Sequence, residues 1–369
     1  MSRYPLATAC LCTFLLFGLS FFFCWNTLQQ IMTTSHQEQQ RDLLHLLTAD
    51  LEEAQTKGLA RAELVAAMPG VGEALARQDV ARLRTLVGPI FDVQRKKYGV
   101  AQGNFCTSAN HMLLRLQNPS APGDDVSGYR HLVVHTNETG EVHSGVEMAR
   151  SGPQIFGVAP VFAGSKQVGT FDIGMSFESR VEQLHARHGV EVAAVFERKL
   201  LEQVASLQKW DGSAQNQLGD YLQVCSSDWQ LLQGLLQGRR LDYLREPLSF
   251  VAPSGGQDYL VCAIPLPDLT GRFVGIYIGA RALPPFRTQL RNGKITAGVI
   301  CLLGLFLSWA ALQLIVRGML LAPMSELALR MQRWSQGEAP PGVGDLRQQA
   351  PALTPLLQAY EQLAGPKNE

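Results

Sequence analysis

The chain carries no surplus of charge. Its 32 Lys and Arg balance 32 Asp and Glu, and no basic stripe runs through the 369 residues. A nucleic-acid partner is therefore not expected. Cysteine is scarce where it would matter: Cys10, Cys12, Cys24 and Cys301 fall in apolar runs, leaving Cys106, Cys225 and Cys262. Three is odd, and none belongs to a C-x-x-C, which excludes a disulfide framework. Buried small hydrophobes are expected, with one Cys225–Cys262 bridge as the alternative. Catalytic motifs are missing too. There is no H-E-x-x-H, no G-x-S-x-G and no phosphate-binding loop. Ser206-Leu-Gln-Lys209 matches S-x-x-K without its companion elements, and Gly70-Val-Gly72 follows a proline rather than a strand, so it reads as a turn. No enzymatic activity and no cofactor are expected.

Two further absences are local. No Asp, Glu, Lys or Arg occurs between Arg3 and Glu38, around the run PLATACLCTFLLFGLSFFFCW. None occurs in ITAGVICLLGLFLSWAALQLIV at 295–316. At roughly 1.5 Å per residue each run matches the hydrocarbon thickness of a bilayer, so two spanning helices are expected. The first run exits as CWNTLQQIM, without an A-x-A-like cleavage site, and reads as an uncleaved anchor. Flanking Arg and Lys are nearly balanced. The expected orientation has both termini inside and residues 38–286 outside.

The residues present repeat themselves. The run GVAPVFAGSKQVGTFDIG at 157–174 and the run AIPLPDLTGRFVGIYIG at 263–279 both pass from a proline through a Gly turn to Val-Gly, an aromatic residue and Ile-Gly. Short strand-like runs separated by Gly, Pro, Asn and Asp surround each copy. They include NFCTS, HMLLRL, RHLVVHT and VHSGVEM in the first set, and VEVAAVF, DYLQVC and EPLSFVAP in the second. The expected fold class is α+β, with two tandem modules of antiparallel strands and the repeated runs as the last two strands of each. Before them, Leu43, Leu47, Leu51 and Ala54 make one apolar helical stripe, and Asp79 is placed to cap a helix through Lys97.

Residues 111–152 concentrate Arg115, Asp124, Asp125, Arg130, Glu147 and Arg150 among short strands and loops. Guanidinium groups pair bidentately with carboxylates, and Asp or Glu can hold an amine. Arg115, Asp125, Arg130 and Glu147 are the candidate binding residues for a small charged metabolite. The alternative is that the arginines pair with Asp125 and Glu147 to brace the loop. His131 and His135, four apart in a run read as a strand, share a face near His143, and His185 and His188 share a helical face with Glu182. Either set could ligate a metal, but polar surfaces explain both and no metal is expected.

At this block the chain resembles double Cache sensor domains, of the double Cache domain 3 type. The resemblance rests on GVAQGNFCTSANHMLLRL, GDDVSGYRHLVV and SGVEMARSGPQIFGVAPVF, and covers roughly residues 40–282. It implies two PAS-like modules on one long helix. It also implies an extracytoplasmic sensor of a bacterial inner membrane, and the Leu-Arg, Gly-Asp-Asp, later Arg and Gly-x-Glu that recur in the family match Leu114-Arg115, Gly123-Asp124-Asp125, Arg130 and Gly145-Val146-Glu147. Two departures stand out: Ala149 where the family usually has Gly, and Phe156 where it often has Arg. Past residue 317, RGMLLAPMSELALRMQRWSQGE and APALTPLLQAYEQLAG resemble the two helices of a HAMP linker.

The expected layout is a cytoplasmic N-terminus at 1–4, a span at 5–27, a stalk helix at 28–72 and a membrane-distal module at 73–184. A membrane-proximal module at 185–286, a second span at 295–316 and a HAMP-like linker at 317–365 complete it. The expected function is a homodimeric membrane sensor that binds a small molecule outside and signals to a separate cytoplasmic partner, since no kinase, cyclase or methylation helix lies within the 369 residues. The alternative is a membrane-anchored binding or scaffold protein without signalling output.

Overall fold

The computed structural model describes residues 4–121, 123–239, 241, 244–283, 286–317, 321–336, 342–343, 346 and 353–364; within its helices the side chains of 4–14, 16, 24, 28–36, 286–294, 297, 311, 315, 363 and 364 fall outside that description. The chain divides into two units, Thr34–Pro285 and the paired terminal segments Met1–Thr33 and Phe286–Glu369.

In the central unit, helix α1 (Tyr4–Ala66) supplies the stripe Leu43, Leu47, Leu51 and Ala54, all buried. The turn read at Gly70-Val-Gly72 is confined to Gly70, after which helix α2 (Val71–Ala76) begins, and α3 (Val80–Lys97) is capped by Asp79, which accepts from the Arg82 amide at 2.9 Å. Two sheets follow. The first contains β1 (Val100–Thr107), β2 (Met112–Arg115), β3 (His143–Ala149), β4 (Gly152–Ala163) and β5 (Lys166–Met175) in the order β2-β1-β5-β4-β3. Helix α4 (His131–Thr139) precedes β3, and α5 (Phe177–His188) leads to the second sheet. There, β6 (Glu191–Glu197), α6 (Arg198–Val204), β7 (Gln217–Leu218), β8 (Tyr221–Ser226), α7 (Trp229–Leu236), β9 (Leu248–Ser254), β10 (Gln257–Pro267) and β11 (Phe273–Ala282) give the order β7-β8-β6-β11-β10-β9. Apart from the short edge strand β7, the two orders are the same.

The repeated runs are β4–β5 and β10–β11, one pair in each sheet. Their registers correspond: Pro160 faces Thr170 and Val161 faces Gly169, while Pro265 faces Ile276 and Leu266 faces Gly275. Each proline lies beyond the stretch its strand shares with the outer neighbour, β3 or β9, so its missing N–H breaks no ladder there. Both sheets turn one face to α1. A Cβ on Gly157 of β4 would collide with the α1 backbone at Gly58 and Leu59, and one on Gly279 of β11 would lie 2.8 Å from Leu47. Helix and sheet thus approach more closely than a side chain allows.

One strand expectation fails. RHLVVHT forms α4, because Leu132, Val133 and Thr136 are buried at helical spacing against the far face of the first sheet. His131 and His135 accordingly share a helical face rather than a strand face, and among the described residues no group of metal-binding geometry is found. Cys225 and Cys262 are buried free thiols. The path from β8 to β10 crosses three inter-strand steps, roughly 14 Å at strand spacing, beyond the reach of a disulfide.

In the terminal unit, a Cβ on Gly304 of α8 (Phe286–Val316) would lie 2.9 Å from Phe17 Cζ of α1. Helices α9 (Ala322–Ser335) and α10 (Thr354–Ala364) share a small core of Leu327, Leu357 and Tyr360, with Trp334 edge-on to Tyr360 at 5.9 Å. Gly337 and Glu338 of the HAMP resemblance lie outside the described residues. Among the described residues no helix is long and apolar enough to cross a membrane. Both apolar runs include residues whose side chains lie outside the description.

Candidate ligand-binding site

Directly opposed residues of antiparallel strands share a face. Arg115 on β2 faces Asn104 on β1, Asn104 faces Asp172 on β5, and Asp172 faces Val158 on β4. Glu147 and Phe156 lie on the same face by the two-residue period of β3 and β4. Helix α4 covers this row, and its N-cap residue is Arg130.

Arg130 is 1% exposed, with Glu147 at 2% and Asp172 at 0%. Its Nε donates to Glu147 Oε2 at 2.6 Å, and its Nη2 meets Asp172 Oδ2 at 3.2 Å, without hydrogen-bond alignment at either atom. The guanidinium lies 4.0 Å from the Phe156 ring centre. Glu147 Oε1 also accepts from the Leu132 amide at 2.8 Å, which ties α4 to the sheet. Asp172 Oδ1 accepts from Asn104 at 2.7 Å, and Asn104 in turn accepts from Gln117 at 3.0 Å. Burial pushes the Asp172 carboxyl up, opposed by Arg130, the Asn104 hydrogen bond and the nearby charge of Arg115. Burial raises Glu147 likewise. Burial also opposes the charge on Arg130, but the two carboxylates outweigh it and the guanidinium stays protonated. One cation thus faces two acids, and this inner layer has a negative charge or a proton to spare.

Beside it lies an outer layer of opposite balance. Asp124 accepts from Arg115, from Arg150 Nε at 3.0 Å and from the Tyr129 hydroxyl at 2.8 Å. Partial burial works against its charge, but these three donors hold the carboxyl below the usual range. Burial and the Asp124 carboxylate push the Tyr129 phenol up to about 12. Arg150 stacks on Tyr129 at 4.5 Å. Here, among the described residues, two guanidiniums pair with one carboxylate. Cys106 sits within the electrostatic reach of both layers, and burial keeps its thiol protonated.

Three of the four residues expected from the sequence, Arg115, Arg130 and Glu147, thus lie on or against one sheet face. Asp125 does not join them: it is exposed and accepts from the Ser127 amide at 2.9 Å, while Arg130 pairs with Glu147 and Asp172. Asp172, Asn104 and Tyr129 were not expected. Asp172 had a readable signal, a lone acid inside the otherwise apolar strand VGTFDIG.

Solved structures similar to the chain include the ligand-binding domain of the Campylobacter jejuni chemoreceptor Tlp3 in complex with 4-methylisoleucine, at 12% identity over 68% of this chain and 91% of that one, with a TM-score of 0.41. The V. cholerae histidine kinase DctB sensor domain matches at 13% identity over 69% and 99%, with a TM-score of 0.39. The same domain of Tlp3 with L-valine matches at 12% identity over 69% and 95%, with a TM-score of 0.40. No curated protein matches at a significant level. The profile of dCache_3, the double sensory domain of two-component sensor kinase, matches residues 35–276. With that match spanning more than half of its length, the chain belongs to the dCache_3 family of double sensory domains.

Proposed function

We propose that the chain is a non-catalytic sensor of the bacterial inner membrane. A small charged metabolite binds beneath α4 of the first module, and the change passes to a separate cytoplasmic partner. The observation that carries the reading is the opposed charge balance of the two layers. The inner one sets Asp172 and Glu147 against Arg130, and the outer one sets Arg115 and Arg150 against Asp124. A zwitterion complements both, with its ammonium toward the inner acids and its carboxylate toward Arg115 and Arg150. Arg130 is already engaged by two carboxylates, so the carboxylate-anchoring role passes to the outer arginines. Entry to so buried a cluster requires α4 to shift, and α4 is joined to the sheet through Glu147. Binding that favours one α4 position over another supplies the coupling. The apolar runs at 5–27 and 295–316 serve as membrane spans, residues 317–365 as a HAMP-like linker, and the long helix α1 as part of a homodimer.

The test is a thermal-shift screen of the purified full chain against amino acids, and against carboxylic acids and amines of matched size. A zwitterion at about 100 times its Kd stabilises by about 2.7 kcal/mol. The matched acid should do far less, and any stabilisation by the matched amine at another site should persist in Asp172→Asn, as that by the zwitterion should not. Equal binding of the acid alone, or normal zwitterion binding by both Arg115→Gln and Asp172→Asn, would refute the assignment.

A further inference from the structure

A cavity of about 430 Å³ opens where α1 ends, α2 begins and β4 turns toward β5. Its apolar wall includes Met68, Val142, Pro160 and Phe162, and its charged residues are Glu63 of α1 and Glu73 of α2. Phe162 is 45% exposed and Val142 37%, leaving an aromatic ring and a branched side chain partly in water. No lysine or arginine lines the cleft, and neither glutamate side chain has an ion-pair or hydrogen-bond partner among the described residues. Ala66 and Ala67 at the carbonyl end of α1 also line it, adding the partial negative charge of a helix C-terminus. Among the described residues, the charged side chains lining this half-apolar hollow therefore all have one sign.

The cleft is also held in shape. Gly70 adopts a left-handed φ of 84°, which turns the chain sharply between α1 and α2. A Cβ on Gly72 would collide with the Phe162 carbonyl, so α2 rests directly on the backbone of the β4 end. Its volume falls in the range typical of small-molecule sites. None of the residues around Arg130 lines it.

We propose that this cleft is a second ligand site, taking a small organic cation: an ammonium group on an aliphatic or single-ring body. The ammonium lies between Glu63 and Glu73, and the body covers Phe162, Val142 and Met68. The site stands apart from the cluster beneath α4 and does not depend on that assignment.

Calorimetric titration of the full chain with phenethylamine and with hexylamine tests it, using 2-phenylethanol as the uncharged match in shape. Both amines should saturate one site, and the alcohol should bind at least about tenfold more weakly. Added NaCl should weaken the amines, because the carboxylates are exposed to screening. The double variant Glu63→Gln, Glu73→Gln replaces two exposed side chains; it should keep the melting temperature and lose at least about tenfold in amine affinity. Phe162→Ser should weaken both amines while leaving the charges in place. Unchanged affinity in the double variant, equal binding of the alcohol, or no saturable amine binding up to about 10 mM would overturn the proposal.

Discussion

The two sheets of the central unit share strand order and register, yet one buries ions where the other buries methyl groups. With Pro160 set against Pro265, Asp172 corresponds to Ile278, Asn104 to Ala193, Glu147 to Ala252 and Phe156 to Val261. All four counterparts lie in the apolar core under α7. The second sheet therefore folds with nothing charged at these positions. Buried ion clusters are often no more stabilising than well-packed apolar groups of similar volume, so the fold itself does not call for the ions beneath α4. On the opposite face the sheets agree: Phe171 and Tyr277 occupy matching places in the shared core against α1. Even there a polar contact enters. Tyr277 donates to Asp50 of α1 at 3.1 Å, and Asp50 pairs with Arg180 of α5.

The comparison breaks most visibly by moving a charge into the second sheet. Ile278→Asp removes an aliphatic side chain and buries a carboxyl with no cation beside it. It should cost roughly 5 kcal/mol, with the β11 amides losing hydrogen-exchange protection first. A smaller loss would mean that α7 admits water. Next comes Arg130→Ala, which strands two buried carboxylates and should cost about 3–5 kcal/mol in denaturant unfolding, with or without ligand. A folded variant of unchanged stability would show that the cluster is open to solvent.

The third prediction concerns pH. Burial raises the Asp172 carboxyl above its usual value of 3.8. The unfolded chain then loses this proton at a lower pH than the folded one. The group's contribution is fully present below the unfolded value and is lost as pH rises through the folded value. Wild type should therefore lose more stability than Asp172→Asn as pH rises above the usual carboxylate value of 3.8. Parallel profiles would show that Asp172 is ionised throughout. The smallest effect belongs to Tyr277→Phe, which deletes one hydrogen bond to Asp50 and should cost about 1 kcal/mol. Asp50→Asn made in that background should then have less to lose than in wild type, which a double-mutant cycle measures.

Much of the fold was legible from period and punctuation. The Val-Gly-aromatic runs read as paired strands because alternation and glycine turns are local signals, and the stripe from Leu43 to Ala54 read as one buried helix face. RHLVVHT misled because Val133 and Val134 favour strands locally, whereas burial of Leu132, Val133 and Thr136 on one helical side decides the outcome. Within the site, Arg115, Arg130 and Glu147 stood out as charged residues in a short block. Asp172 did not, although setting the two copies side by side exposes an acid where the other has isoleucine.

The order of the residues by itself determined most of the strands and the long helix stripe, that the strand set is repeated, and which segments carry no charge. These follow from side-chain period, backbone freedom at glycine and the solvation of ionised groups, all of which act over a few residues. Only the tertiary structure decided which carboxylates Arg130 meets and that Asp125 stays in solvent. It also decided that Glu63 and Glu73 border one cleft beside Phe162. Those outcomes depend on strand register and on helices laid across sheets, which bring together groups tens of residues apart, and no local propensity encodes such pairings.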